Sequence, residues 1–176
     1  MIKKSIFIVA VIFLAAFSSC KKGLTVNFDV KDSEEFTIPP NSILTLPPII
    51  TPPVSTNNWS GSYSNNNTDK NHVQSCKLTN LTLTIKSPQG KTFGFVKSIH
   101  VYIQSSNLPT TEIAYIDNNP TTAGGTITLI PDDVDLTSFV KADSFTLSIQ
   151  TTLQENNGDN VDVQSDMTLH VVASVL

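Results

Sequence analysis

Short runs in which every second residue is apolar recur along most of this chain. Leu24, Val26, Phe28 and Val30 alternate with Thr25, Asn27 and Asp29. Leu81, Leu83 and Ile85 alternate with Thr82, Thr84 and Lys86. Ile99, Val101 and Ile103 are spaced by His100 and Tyr102, and Phe145, Leu147 and Ile149 by Thr146 and Ser148. A period of two sends one set of side chains to each face, so each run predicts a strand buried on one side only. Shorter runs follow at 113–116 and 126–130, and a long one at 161–175. The Glu34-Glu35 pair predicts a break in the first strand. Leu78, out of phase with Leu81, predicts a bulge near Asn80, and Ser165 interrupts the last strand.

Turn signals punctuate these runs: Ser87-Pro88-Gln89-Gly90, Pro109, Asn118-Asn119-Pro120 and Gly124-Gly125. Asn157-Gly158 predicts a tight hairpin into the final strand. Helical spacing occurs at 132–142, where Leu136, Phe139 and Val140 follow Asp135 as N-cap. About seven to nine short strands with one or two short helices predict an all-β antiparallel sandwich over residues 24–176. A closed barrel is the second choice. A membrane barrel is disfavoured, because its strands need about 9–11 residues with a lipid-facing apolar set.

Two stretches depart from the pattern. Residues 39–53 hold six of the ten prolines, interleaved with Ile43, Leu44, Leu46, Ile49 and Ile50. Pro cannot donate to a ladder, so this stretch predicts an edge strand or an extended crossover. Residues 57–71 are polar and turn-rich and predict a mobile loop, with Asp69 capping a short turn that runs to Val73.

Composition excludes several functions. Thr, Ser and Asn supply 55 of 176 residues, and all 11 basic residues are Lys. Without Arg the chain lacks the usual bidentate reader of bases and phosphates, so no nucleic-acid partner is expected. No P-loop, dinucleotide fingerprint or nucleophile elbow occurs. The glutamates Glu34, Glu35, Glu112 and Glu155 sit at strand ends or loops, which does not predict a catalytic carboxylate pair. The reading is therefore non-enzymatic, with no catalytic residue.

The N-terminus carries an address. Lys3 and Lys4 precede an uncharged apolar run from Ser5 to Phe17, closed by Ser18, Ser19 and Cys20. The run suits a secretory signal and is too short to span a bilayer. Phe17-Ser18-Ser19-Cys20 resembles the lipobox of bacterial lipoproteins, with Phe17 where that pattern prefers Leu. The resemblance implies cleavage of residues 1–19, acylation of Cys20 and a lipid-anchored N-terminus at 20–23. Lys21 after the Cys implies an outer-membrane destination, on its periplasmic or cell-surface face. Loss of Lys3 and Lys4 leaves 9 Lys against 15 acidic residues, a formal charge of −6. From Lys70 onward the chain also resembles small envelope lipoproteins with an immunoglobulin-like sandwich. The similarity rests on Leu81 to Ile85 with Ser87-Pro88, Ile99 to Ile103, and Asp133-Val134-Asp135-Leu136. It implies a fold and no activity.

With Cys20 lipidated, Cys76 has no partner and is expected to be a buried thiol. His72, His100 and His170 lack metal-ligand spacing, and His100 and His170 are expected on the solvent face of strands. Asp132, Asp133 and Asp135 fit helix capping better than a calcium loop, and Asn157, Asp159 and Asp162 fit turn geometry better. No metal and no cofactor beyond the covalent lipid is expected. Trp59, Tyr63 and Tyr102 are the candidate ligand-binding residues, an aromatic platform for a glycan or peptide. The expected partners are the membrane, through the anchor, and an envelope protein or glycan.

Overall fold

The structure, a computed structural model, describes residues 23–40 and 45–176. The expected signal peptide, Cys20, and Ile43 with Leu44 lie outside the described residues. Among the described residues ten strands form: β1 (Thr25–Ile38), β2 (Ile49–Ile50), β3 (Val54–Ser55), β4 (Val73–Ser87) and β5 (Val96–Gln104). They continue with β6 (Thr111–Ile116), β7 (Thr126–Thr128), β8 (Ile130–Pro131), β9 (Ser144–Leu153) and β10 (Val161–Ser174). One sheet has the order β1-β10-β4-β7. The other has β2-β9-β5-β6-β8, with β3 also pairing β9. The chain is an all-β antiparallel sandwich.

The order of pairing defines the kind of sandwich. β1 pairs β10, β2 pairs β9, β4 pairs β7 and β5 pairs β6. These nested pairs are one long antiparallel ribbon rolled up on itself, the winding of a jelly roll. An immunoglobulin order puts its first and last strands in different sheets. Here they pair along 14 residues, from Thr25↔Ser174 to Ile38↔Val161. The immunoglobulin-like expectation is corrected on that ground.

Alternation sets the core. Val30, Phe36 and Ile38 of β1, Leu81 and Leu83 of β4, and Val163, Leu169 and Val171 of β10 are buried. They meet Ile99, Val101 and Ile103 of β5 and Leu147 and Ile149 of β9. Glu34-Glu35 causes no break, because β1 runs through it against Gln164 and Ser165. Ser165 keeps the inward register. It is buried, and its hydroxyl donates to the Glu34 carbonyl at 3.1 Å, which satisfies it. The ladder slips between Leu78↔Leu169 and Asn80↔Thr168, so Thr79 is the extra residue and both Leu78 and Leu81 face inward.

The described part of the proline-rich stretch is the edge of the second sheet. Thr45 meets Thr152, Ile49–Ile50 meet Ile149 and Ser148, and Val54–Ser55 meet Phe145 and Ser144. Pro47-Pro48 and Pro52-Pro53 fall in the gaps between these contacts. Leu46 N–H donates to Thr151 O, and Thr51 N–H to Leu147 O. The result is an interrupted edge that resists further strand addition.

Asn157-Gly158 does not close a hairpin. β9 is already bordered by β5 and by β2 with β3, so the chain leaves its sheet here and enters the other one. Gly158 supplies the left-handed turn at φ +70°. Asn157 is buried, and its amide donates to Pro39 O at 2.8 Å and Asp159 O at 2.9 Å, tying the crossover to the end of β1. At the same level Gly94 is pressed against Thr121, whose carbonyl oxygen would lie 2.3 Å from an added Cβ. The helix expected over 132–142 is only Thr137–Lys141. Asp135 caps it from two residues back, accepting from Thr137 N–H at 3.0 Å.

Replacing Asn157 with Ala removes a buried amide that donates to two carbonyls of the crossover. It is expected to lower unfolding free energy by about 1–3 kcal/mol. A urea titration reads this directly, and an unchanged midpoint would show that the crossover is not held by this side chain.

Candidate functional site

The segment expected to be a mobile loop is folded. Thr56–Trp59 forms a 3-10 turn, Ser60–Asn65 an α-helix, and Lys70–His72 a second 3-10 turn capped by Asp69. Two aromatic side chains pin it down. Trp59 lies against Phe145 with ring centroids 5.8 Å apart, and its Nε1–H donates to Asp32 at 3.2 Å. Tyr63 meets Phe28 edge-on at 5.7 Å. Trp59 is 4% exposed and Tyr63 3%, so neither can offer a ring face to a ligand. The three-ring platform is therefore corrected: Trp59 and Tyr63 are core residues, while Tyr102 stands on β5.

Asp32 faces inward from the edge strand, and its second oxygen has no partner among the described residues. Burial lifts its carboxyl above the ordinary value, with the Trp59 hydrogen bond opposing. Glu34 is lifted too, by burial first and then by the charge of Asp32. A carboxyl raised on folding holds its proton more tightly in the native state. Its contribution to stability is thus full below the unfolded value and is lost as pH rises through the folded value. Asp32→Asn keeps an acceptor for Trp59 and removes the charge. The variant is expected to exceed wild type in stability at neutral pH, with the gap closing in acid. Urea titrations across that range test this, and a pH-independent gap would contradict it.

The other candidates are engaged by protein partners. Cys76 is fully buried. Burial first and then Asp135 push its thiol up to about 12, so it stays protonated and non-nucleophilic. Asp135 accepts from Thr137 and from Cys76 N–H, and Asp133 pairs with Lys77. Asp162 accepts from Thr37, and Asn156 from Gly158 N–H. His72 meets Asp69, and His170 meets Asp29, each at 2.8 Å. Among the described residues no three His, Cys, Asp or Glu side chains are grouped to hold a metal, and no helix is long and apolar enough to cross a membrane.

The two outer faces of the sandwich differ. On the first sheet, side chains are paired across strands: Ser33 with Asp166, Thr37 with Asp162, Asp29 with His170, Thr84 with Thr126. On the second sheet lies a groove of about 500 Å³. Its floor is Gln150 to Thr152 of β9. One wall is Ser98, His100 and Tyr102 of β5, and the other is Thr45, Leu46 and Pro48 of the proline-rich edge. The register sets His100 between Gln150 and Tyr115, and Tyr102 between Ser148 and Glu112.

His100 is a fixed post in that wall. Nδ1 lies 2.6 Å from Glu112 and Nε2 3.2 Å from Asp117, and the ring stacks on Tyr115 at 6.2 Å. Tyr102 is raised by burial and by the charge of Glu112, so its phenol stays a hydrogen-bond donor. Among the described residues the side-chain polar groups of Thr45, Ser98, Tyr102, Gln150 and Thr152 have no hydrogen-bond partner. Sequence reasoning found Tyr102 and missed the groove, which exists only because the proline-rich edge runs beside β9.

No protein-family model and no curated protein sequence matches the chain. Among solved structures, it is similar to the acidic stable capsid of Helicobacter pylori bacteriophage KHP30 at 10% identity and a TM-score of 0.39, covering 87% of this chain and 99% of that one. The decameric BFDV capsid protein matches at 11% identity and 0.43, covering 85% and 99%. FLHE matches at 12% and 0.29, covering 84% and 97%. With TM-scores below 0.5, none of these likenesses bears on function.

Proposed function

We propose that this chain is a lipid-anchored, non-enzymatic binding module of the bacterial cell envelope, held on the outer membrane by acylated Cys20. The observation that carries the reading is the order at the N-terminus: Lys3-Lys4, the apolar run, and Cys20 after small residues. Two or more acyl chains give stable anchoring where one would be reversible. Only residues 21–24 separate Cys20 from β1, which starts at Thr25. At about 3.3–3.6 Å per extended residue, the start of β1 lies within roughly 18 Å of the acyl group. The sandwich would then stand on the pole where β1 begins and β10 ends. Both outer faces would look sideways along the envelope.

The face that fits an interaction role is the second sheet, whose groove has unpaired polar groups beside an aromatic ring. The 57–71 segment is not that surface, because its aromatic residues are spent on the core.

Metabolic labelling with palmitate tests the anchor. Wild type should take up label and partition into detergent, and Cys20→Ala should do neither. An unlabelled wild-type protein would contradict the reading.

A further inference from the structure

We infer that the groove over β9 is a binding site for a neutral glycan, with Tyr102 as its stacking ring and Gln150 as its principal hydrogen-bonding side chain. This goes beyond the anchoring reading and stands even if Cys20 carries no lipid.

The chemistry of the lining selects the ligand class. Hydroxyls of Thr45, Ser98, Tyr102 and Thr152 and the amide of Gln150 converge on one space with their hydrogen-bonding capacity unspent. These groups both donate and accept, which suits a polyhydroxylated ligand that does the same. Tyr102 and Pro48 add apolar surface on opposite walls, where the C–H face of a sugar ring can lie. The volume of about 500 Å³ falls in the range of small-ligand sites and admits a short oligosaccharide.

Other ligand classes fit worse. The lining holds no Lys, and Glu112 and Asp117 stand behind His100, so an anion meets no counter-charge. A cation finds those two carboxylates already held by the imidazole. A lipid tail would leave five polar groups unpaired. A peptide adding itself as a strand would need an open edge, and the edge here is broken by Pro47-Pro48 and Pro52-Pro53.

The wall is also pre-organised. His100 is fixed by two carboxylates and by stacking on Tyr115, so the strand that carries Tyr102 is braced on the side away from the groove. On the first sheet, by contrast, Ser33, Thr37, Asp29 and Thr84 are each already joined to a side chain across the strands.

Isothermal titration of the full-length protein in nanodiscs with cello-, xylo-, malto- and chito-oligosaccharides tests the site. At least one series should bind saturably. Affinity should fall about tenfold or more in Tyr102→Ala and in Gln150→Ala, a change of roughly one decade in Kd. Thr84→Ala, on the opposite sheet, should bind like wild type. Thermal melts matching wild type would show that the variants are folded. No binding to any of the four series at millimolar concentration would overturn the inference. So would binding that survives both groove variants. Neither result touches the palmitate assay, so failure of the site and failure of the anchor are read separately.

Discussion

Strand β10 has a partner on each side along almost its whole length, and the rest of the fold is arranged by that fact. Its 14 residues pair one for one with β1, and its other edge carries β4 from Val73 to Ser87. Most of its backbone groups therefore face a partner strand, although the ladder to β4 slips at three places. Its side chains alternate without fault between core and surface, and even Ser165 stays in register because the Glu34 carbonyl accepts its hydroxyl. With β1 and β10 joined in one sheet, the strands between them are wound as nested pairs. The crossovers at Asn157 and at the proline-rich stretch carry the ribbon from the β1–β10 pair to the β2–β9 pair in the other sheet.

That winding gives the sandwich two unlike outer faces. One carries cross-strand pairs of Ser, Thr, Asp and His side chains. The other is bordered by a strand that prolines keep from lying flat, and a polar trough opens beside it. The proline-rich edge thus does two things. It blocks strand addition at β9, and it raises a wall along that strand.

Alternation was legible wherever a strand has one wet face. β1, β4, β5, β9 and β10 were all visible in the sequence, as was the bulge beside Asn80. What failed was pairing. Asn157-Gly158 reads as a hairpin because its turn chemistry is right, yet the edges of β9 were already occupied, and nothing local says so. The short helix at 137–141 was overread, since Leu136 is buried ahead of it without being helical. Trp59 and Tyr63 sit among Asn, Ser and Gly, so the segment looks solvated. The rings are what hold it to the core, and that burial depends on Phe28 and Phe145, distant in the chain. Of the candidate site, Tyr102 was visible as an outward residue, but Gln150 on β9 and Pro48 just before β2 are distant in the chain and meet it only through the jelly-roll order.

The most direct test of this account is native-state amide hydrogen exchange followed residue by residue. A strand paired on both sides can open only when the whole domain does. The amides of β10, Leu169 and Val171 among them, should be in the slowest class and exchange at the rate of global unfolding. If β10 exchanged as fast as the loops while β4, β5 and β9 stayed protected, the first and last strands would not be joined as described, and the jelly-roll winding built on that pairing would be wrong.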